Sequence, residues 1–436
     1  MKPDTLGAAT AKTANAAERK AFLVKHMVTI MFIALSLAGY ILAGMTPFLF
    51  LMDIVARVSR NAFLVLSLII PVMAGMGLNF SIVLGAMAGQ AVLIFVTHWG
   101  VNGLPGILLC LVLVTPLAMF LGYLTGKLFN KTKGQEMIAG LILAFFAQGI
   151  YELIFLQFVG GIIPMNNTTL VMSSGIGIRT TVDLTGGLKY GMDWPGQLWG
   201  NDTLLRPTLP WAFLSVIAAI VVGYLLYVFV FKGKRPSPPP LIASALALGY
   251  ASWWSIVQIQ ESTQINWIRV PFLTWIVIAA LCAFILFFSK TKLGQDMRAV
   301  GQDRHVAAVA GIKVNRVRII AIMMSMVMAG WGHIIFLQNM GAFSTYGSHE
   351  QIGLYSVAAL LIGGATVSKA TIGQALLGVL LFHTLFIVSP AAGRQVFGDA
   401  QVGEYFRVFV AYGVIGVTLA MHAWKTLLQN RARQEL

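Results

Sequence analysis

Long apolar runs broken by short polar or basic segments recur along the chain. They fall near residues 27–45, 62–78, 80–97, 104–126, 137–160, 210–231, 241–257, 270–288, 317–337, 351–366, 373–390 and 406–424. A helix that crosses a bilayer needs roughly 20 mostly apolar residues, and most of these runs approach that length. They predict an all-α fold, a polytopic transmembrane helix bundle of about 10–12 spans by that measure. The 351–390 region reads either as separate helices or as one span with a re-entrant hairpin. The first run is too long for the apolar core of a cleaved signal peptide and is read as a retained span.

The breaks divide the chain. Residues 1–26 form a polar N-terminal tail, 27–424 the membrane domain and 425–436 a C-terminal tail. Two breaks are long enough to hold structure of their own. Segment 161–209, with the turn sequence Asp193-Trp194-Pro195-Gly196, is expected outside the membrane, with a short helix lying on it. Segment 290–316 is basic, rich in small residues and helical in pattern. Residues 232–240, with four prolines, read as a stiff linker.

Composition agrees with the pattern. Hydrophobic residues make up 58% of the chain and charged residues only 10%, with a mean hydropathy of +0.81. A soluble domain carries about 25% charged residues. The net charge of +15 would suggest a nucleic-acid partner if it were evenly spread. It is not. With the N-terminus in the cytoplasm, 22 of the 30 Lys and Arg fall in inward segments and eight in outward ones: Arg57, Arg60, Arg179, Lys189, Arg206, Arg269, Arg394 and Arg407. Basic residues mark the cytoplasmic side. The surplus is therefore explained by orientation, both termini are placed inside, and no nucleic acid is implied.

Catalytic chemistry finds little support. Gly126-Lys127 lacks the remaining glycine and hydroxyl of a phosphate loop, and neither HExxH nor CxxC occurs. Cys110 and Cys282 sit in apolar runs and read as packing residues. No catalytic residue, metal site or cofactor is expected. Thr132-Lys133-Gly134-Gln135-Glu136-Met137 echoes Thr291-Lys292-Leu293-Gly294-Gln295-Asp296-Met297, each just after a span that enters the cytoplasm. Such an echo fits either a repeated architecture or chance.

The segment 290–316 carries a more specific signal. Gly294, Arg298, Ala299, Val300, Gly301, Asp303, Ala307, Ala308, Gly311 and Ile312 stand in a pattern that resembles the cytoplasmic coupling loop of ABC importer permeases for branched-chain amino acids, monosaccharides and nucleosides. Gly75-Met76-Gly77-Leu78-Asn79-Phe80 with Gly85, Gly89 and Gln90, and the stretch from Ala359 through Gly363, Gly364 and Gly373 to Gly378, are similar to two further motifs of that family. The resemblance implies a type II-like importer fold in a bacterial inner membrane. It also implies ATPase subunits seated on the coupling loop, a second permease subunit, identical or homologous, and an extracytoplasmic solute-binding protein. The long outer loop and the helix near 241–257 depart from the family pattern.

Polar side chains inside spans are costly and are candidates for function. Asn79, Gln90, Gln148, Glu152, His333, Gln338 and His383 qualify as lining of a translocation pathway, or equally as hydrogen-bonding glue between helices. The repeated glycines read as sites of close helix packing. Core ionisable groups are sparse in this reading: one Glu, two His and no Arg or Lys in a clear span. That disfavours an ion-coupled carrier, and it suggests a neutral or zwitterionic solute such as a sugar, nucleoside or branched-chain amino acid.

Overall fold

A computed structural model describes residues 27–193, 206–225, 238–261 and 263–434. The tail 1–26, Trp194-Pro195-Gly196 and linker residues 232–237 lie outside the described residues.

Among the described residues each of the twelve apolar runs overlaps a helix; the first of the two flanking Asn79 ends in the non-helical stretch 74–78, and residues 226–231 lie outside the described residues. α1 (Met27–Ala43) leads through a short turn into α2 (Pro47–Leu66), which Thr46 caps and Pro47 starts. α3 (Ile69–Met73), α4 (Ile82–His98), α5 (Gly103–Lys131) and α6 (Glu136–Leu153) follow, α6 continuing as one π turn, Ile154–Phe158. α7 (Leu209–Leu225) and α8 (Pro238–Gln260) pair as a hairpin. Pro238, Pro239 and Pro240 stand in the first turn of α8, where a missing N–H costs nothing. α9 (Phe272–Phe288) bends by 75° into α10 (Lys292–Gln302). α11 (Arg304–Val309), α12 (Val314–Met340), α13 (Ile352–Ile362), α14 (Ile372–Phe397) and α15 (Ala400–Gln434) complete the chain. Among the described residues five helical stretches are long and apolar enough to cross a membrane, six with the bent α9–α10 pair, and four shorter apolar helices accompany them.

The largest difference from the sequence reading concerns α2. The expected span began near 62, but the helix begins at Pro47 and continues through Arg57 and Arg60. These two residues are therefore not in an outward loop. The cause is visible in the sequence: Asp53, Arg57, Arg60 and Asn61 recur at helical spacing on one face, and they depress the average apolarity of a helix whose other face is apolar. Arg394 and Arg407, also assigned to outward loops, lie in α14 and α15.

Glycines set the closest helix contacts. A methyl group on Gly89 would stand 2.7 Å from the Gly330 carbonyl oxygen, and one on Gly122 2.7 Å from the Met323 Cα. So α4 and α5 press backbone to backbone on α12. Lipid tails are as apolar as side chains, so association in a membrane depends on such close packing. Gly363 and Gly378 join α13 to α14 in the same way, whereas Gly373 faces open space and packs on nothing.

The bundle has two distinct ends. At one, α10 and α11 lie across the start of α12 and the end of α3. At the other, residues 159–193 fold into a turn-rich cap. Its strand β1 (Thr181–Asp183) pairs antiparallel with β2 (Ala342–Ser344), Val182 opposite Phe343. No surface helix forms in the described part of this cap; a short 3-10 turn at Gly191–Asp193 takes its place.

Candidate functional site

Three polar groupings occupy this frame. The first lies where α4, α6 and α12 meet the 342–351 segment. Gln90 on α4 donates to the Tyr151 hydroxyl at 3.1 Å and to the Thr345 carbonyl, while its Oε1 faces His333 Nε2 at 3.1 Å. One turn along α6, Gln148 donates to Glu152 at 2.6 Å and to the Tyr346 carbonyl at 2.9 Å, and its Oε1 faces His349 Nε2 at 2.6 Å. An acceptor oxygen requires the proton on each Nε2, which fixes the tautomer of both histidines. Gln90, Gln148, Glu152 and His333 are thus brought together, and both amide ends of each glutamine are used within the protein. The network pins the 342–351 segment inside the bundle.

Two other sequence candidates stand apart. Asn79 accepts from the Ser81 N–H at 3.1 Å and donates to Ser325, which donates to the Ser67 carbonyl. It joins the end of α2 to α4 and α12. Gln338 accepts from the Met192 N–H at 3.3 Å, and its carbonyl from Tyr190, so it anchors the 159–193 cap.

The second grouping surrounds a cavity of about 340 Å³ between α2, α12, α13 and α14. Arg57, Arg60, Gln351, Tyr355, Ser356 and His383 are among its lining residues. Its wall is continuous with the first grouping: Ser348 and Gln351 line the cavity while their neighbours Tyr346 and His349 hold Gln148. A larger hollow of about 710 Å³ beside α9 is almost wholly apolar and offers a polar solute little to bind.

The third lies at the α10–α11 end. Glu136, the first residue of α6, is buried and gathers three partners: the Gly134 N–H at 2.9 Å, Arg304 at 3.1 Å, and Arg318, which is fully buried. Arg304 also donates to the Gly75 carbonyl at 2.8 Å, and Arg318 to that of Phe129 at 3.3 Å. The residues of the 290–316 signature divide by environment. Gly294, Val300 and Ala307 are buried, and a methyl group on Gly301 would stand 3.1 Å from the Gly75 nitrogen. Arg298, Asp303, Ala308 and Gly311 face outward, with Ala299 and Ile312 half-buried. Asp303 caps α11 through the His305 and Val306 N–H groups at 2.7 and 3.0 Å, and Gly311 takes φ +83°, the left-handed turn that ends this helix. Val306 and Val309 on α11 are 62% and 78% exposed, and a basic hollow lined by Lys133, Arg304, Lys313 and Arg316 adjoins them.

Residues 50–419 match the family described as the permease component of branched-chain amino acid transport systems. The chain belongs to this permease family. Similar proteins include the nucleoside ABC transporter permease protein NupC of Lactococcus lactis subsp. cremoris, 26% identical over 49% of this chain and 63% of its own length. The L-arabinose transport system permease protein AraH of Escherichia coli is 30% identical over 36% of this chain and 45% of its own. The autoinducer 2 import system permease protein LsrC of Klebsiella pneumoniae is 32% identical over 26% and 32%. The chain spans less than two thirds of the length of each of these relatives. No solved structure matches it.

Within this chain the sequence reading overlooked four residues. Glu136 and Arg318 look like loop charges at two points far apart in sequence, and only the fold brings them together. A hint lay in the Thr132–Met137 echo, since the structure sets Glu136 and the second copy at 291–297 at the same end of the bundle. Arg57 and Arg60 carried a clearer hint in their helical spacing. Their place on α2 corrects the expectation that no Arg lies within a span.

Proposed function

We propose that this chain is the membrane permease subunit of an ATP-binding-cassette importer. It forms a translocation pathway for a small polar solute, with sugars, nucleosides and branched-chain amino acids as the classes considered. An external binding protein delivers the solute, separate ATPase subunits hydrolyse ATP, and a second permease subunit, identical or homologous, completes the pathway. The chain itself performs no hydrolysis. It lies in a bacterial inner membrane with both termini cytoplasmic, which puts the α10–α11 end inside and the 159–193 cap outside.

The observation that carries this reading is the α10–α11 elbow in a chain whose family is that of transport permeases. Its buried side is fastened to the bundle at Val300, Gly301 and Ala307. Its free side presents Arg298, Val306 and Val309. An exposed apolar pair on a helix rimmed by basic residues suits a cleft on a partner protein. An ATPase pair closing on that elbow would push directly on Gly75 and Glu136, and so on α3, α4 and α6. This is alternating access driven from one end.

An ion-coupled carrier is the competing reading. Proton-coupled carriers use intramembrane carboxylates or histidines as relays; among the described lining residues none is acidic, and His383 is the one histidine. Arginine cannot serve, because it does not deprotonate in proteins. Reconstitution in proteoliposomes with the cognate ATPase and binding protein tests the choice. Uptake is expected to require ATP inside the ATPase compartment and to ignore imposed proton or sodium gradients. Uptake that follows an ion gradient without ATP overturns the proposal.

A further inference from the structure

Two permanent cations, Arg57 and Arg60, line the cavity of about 340 Å³. Arg60 is the middle residue of the 27-residue helical stretch Pro47–Met73. His383 lies within two residues of the middle of the 26-residue α14. At 1.5 Å per residue, Arg57 is roughly 15 Å and Arg60 roughly 20 Å along the helix from Pro47. Ser67 is level with Ser325 and Phe63 with Gly332 of α12, however, and Arg60 reaches Met340 at the end of that helix, so both arginines lie in the half of the bundle toward the 159–193 cap.

Their surroundings neutralise them only in part. Arg60 donates from Nε to the Ala56 carbonyl at 3.0 Å and reaches the Met340 sulfur at 3.6 Å, which leaves most of its fork unused. Among the described residues no acidic side chain forms an ion pair with Arg57 or Arg60. The nearby acid on α15, Glu404, is paired with Arg407. Asp53, one turn before Arg57, is close enough to act electrostatically on both arginines, but it forms no ion pair with either and does not line the cavity. The remaining polar wall is neutral or basic: Gln351, Ser348, Ser356, Tyr355 and His383, with Phe386 as an apolar side.

Such a site is incomplete on electrostatic grounds. A charged group deep in a membrane is expensive and normally pairs with another charge. A guanidinium cannot escape the cost by losing its proton. A planar carboxylate is one anion it can grip with two parallel hydrogen bonds. A sugar or nucleoside without charge would meet the hydroxyl and amide groups of the wall but leave both arginines unanswered.

We propose that the cavity between α2, α13 and α14 is an anion-accepting solute site, and that the solute carries a carboxylate held by Arg57 and Arg60. The assignment rests on the permease reading for its statement about the solute, and on the cavity alone for its statement about charge. It favours amino acids, hydroxy acids or sugar acids over uncharged sugars and nucleosides.

The charge can be read without knowing the solute. Ser348→Cys places a thiol on the cavity wall, and Ser356→Cys is a second variant for the same purpose. Ser174→Cys, on the exposed cap, gives the reference, and the unmodified chain gives the background from Cys110 and Cys282. Each is treated in nanodiscs with two methanethiosulfonates of similar size, one bearing a sulfonate and one a quaternary ammonium. The sulfonate-to-ammonium rate ratio at Ser348→Cys is expected to exceed the Ser174→Cys ratio by about tenfold, and Arg57→Gln with Arg60→Gln should abolish the excess. Sodium glucuronate should slow the modification and glucose should not. A ratio at or below the reference overturns the site. Equal protection by glucuronate and glucose, none at all included, overturns the carboxylate. Failure of the importer reading would appear elsewhere, as uptake indifferent to ATP, and would leave these ratios unchanged.

Discussion

Glu136 shows how much can depend on one side chain at a helix start. Its carboxylate is buried beside two arginines that belong to different elements, Arg304 on α11 and Arg318 on α12. Removing one member of a buried charge cluster leaves the others without compensation, a loss of about 3–5 kcal/mol where it has been measured. Glu136→Gln keeps the shape and a carbonyl acceptor but not the charge. Its thermal midpoint in detergent is expected well below that of the parent, and a midpoint within a degree of the parent would mean the cluster contributes nothing. Asp193, in the 159–193 cap, poses a different case. Burial pushes its carboxyl up to about 7, while the Arg206 guanidinium 3.4 Å away opposes the rise. The folded state therefore binds a proton that the unfolded chain releases near 3.8, its ordinary value. Stability from this group is fully present at low pH and is lost as pH rises toward about 7. Relative to Asp193→Asn, the parent should melt progressively lower from pH 5 to pH 8. A constant difference between the two would contradict the assignment. The hydropathy pattern could not reveal either residue, because each acts through partners that only tertiary structure supplies. Arg57 and Arg60 differ: their spacing with Asp53 marks one face of a helix, and averaging over the window hid it.

At the scale of elements the sequence was more legible. Among the described residues each apolar run overlaps a helix, because a long apolar segment in a bilayer must satisfy its own backbone hydrogen bonds. The runs did not disclose helix ends. α2 starts earlier than its apolar stretch, and α15 continues past its own to Gln434. The glycine pattern disclosed contact surfaces: at Gly85, Gly89 and Gly330 the α4 and α12 backbones meet without side chains between them. Gly330→Val would place its Cβ 3.1 Å from the Gly85 carbonyl oxygen and 2.9 Å from a Val114 methyl. Overpacking of this kind costs about 1–3 kcal/mol, and the melting temperature should fall while membrane insertion persists. The elbow formed by α10 and α11 invites a subtler substitution. Arg298 is exposed, and among the described residues its side chain forms no hydrogen bond or ion pair. Arg298→Glu should therefore melt like the parent but recover less ATPase in a pull-down from co-expressing cells. Normal recovery would move the partner surface away from this face of α10.

The whole molecule is organised around a break in one path through the bundle. Between α3 and α4, residues 74–81 leave the helix, with Gly75 and Gly77 at φ +69° and +70°, a conformation glycine adopts freely and branched residues do not. Four elements converge there. Gly301 at the end of α10 lies against Gly75, Arg304 of α11 holds the Gly75 carbonyl, and Met137 of α6 and Val367 between α13 and α14 approach Gly77. From this point α4 runs directly to Gln90 and the pinned 342–351 segment, which forms one wall of the basic cavity. The Gly75–Asn79 motif is thus the joint between the α10–α11 elbow and the polar interior. A push on α10 reaches α4 through a contact with no side chain to absorb it. Gly75→Val would strain the backbone and bring its Cβ to 2.7 Å from the Gly301 Cα. The exposed face of α10 would be untouched. The expected phenotype separates the two ends of the mechanism: ATPase association and ATP hydrolysis continue, while uptake in proteoliposomes falls about tenfold or more, a change of at least 1.4 kcal/mol in coupling. Loss of association would mean that the joint shapes the docking surface itself, and unchanged uptake would show that the elbow transmits its motion by another route.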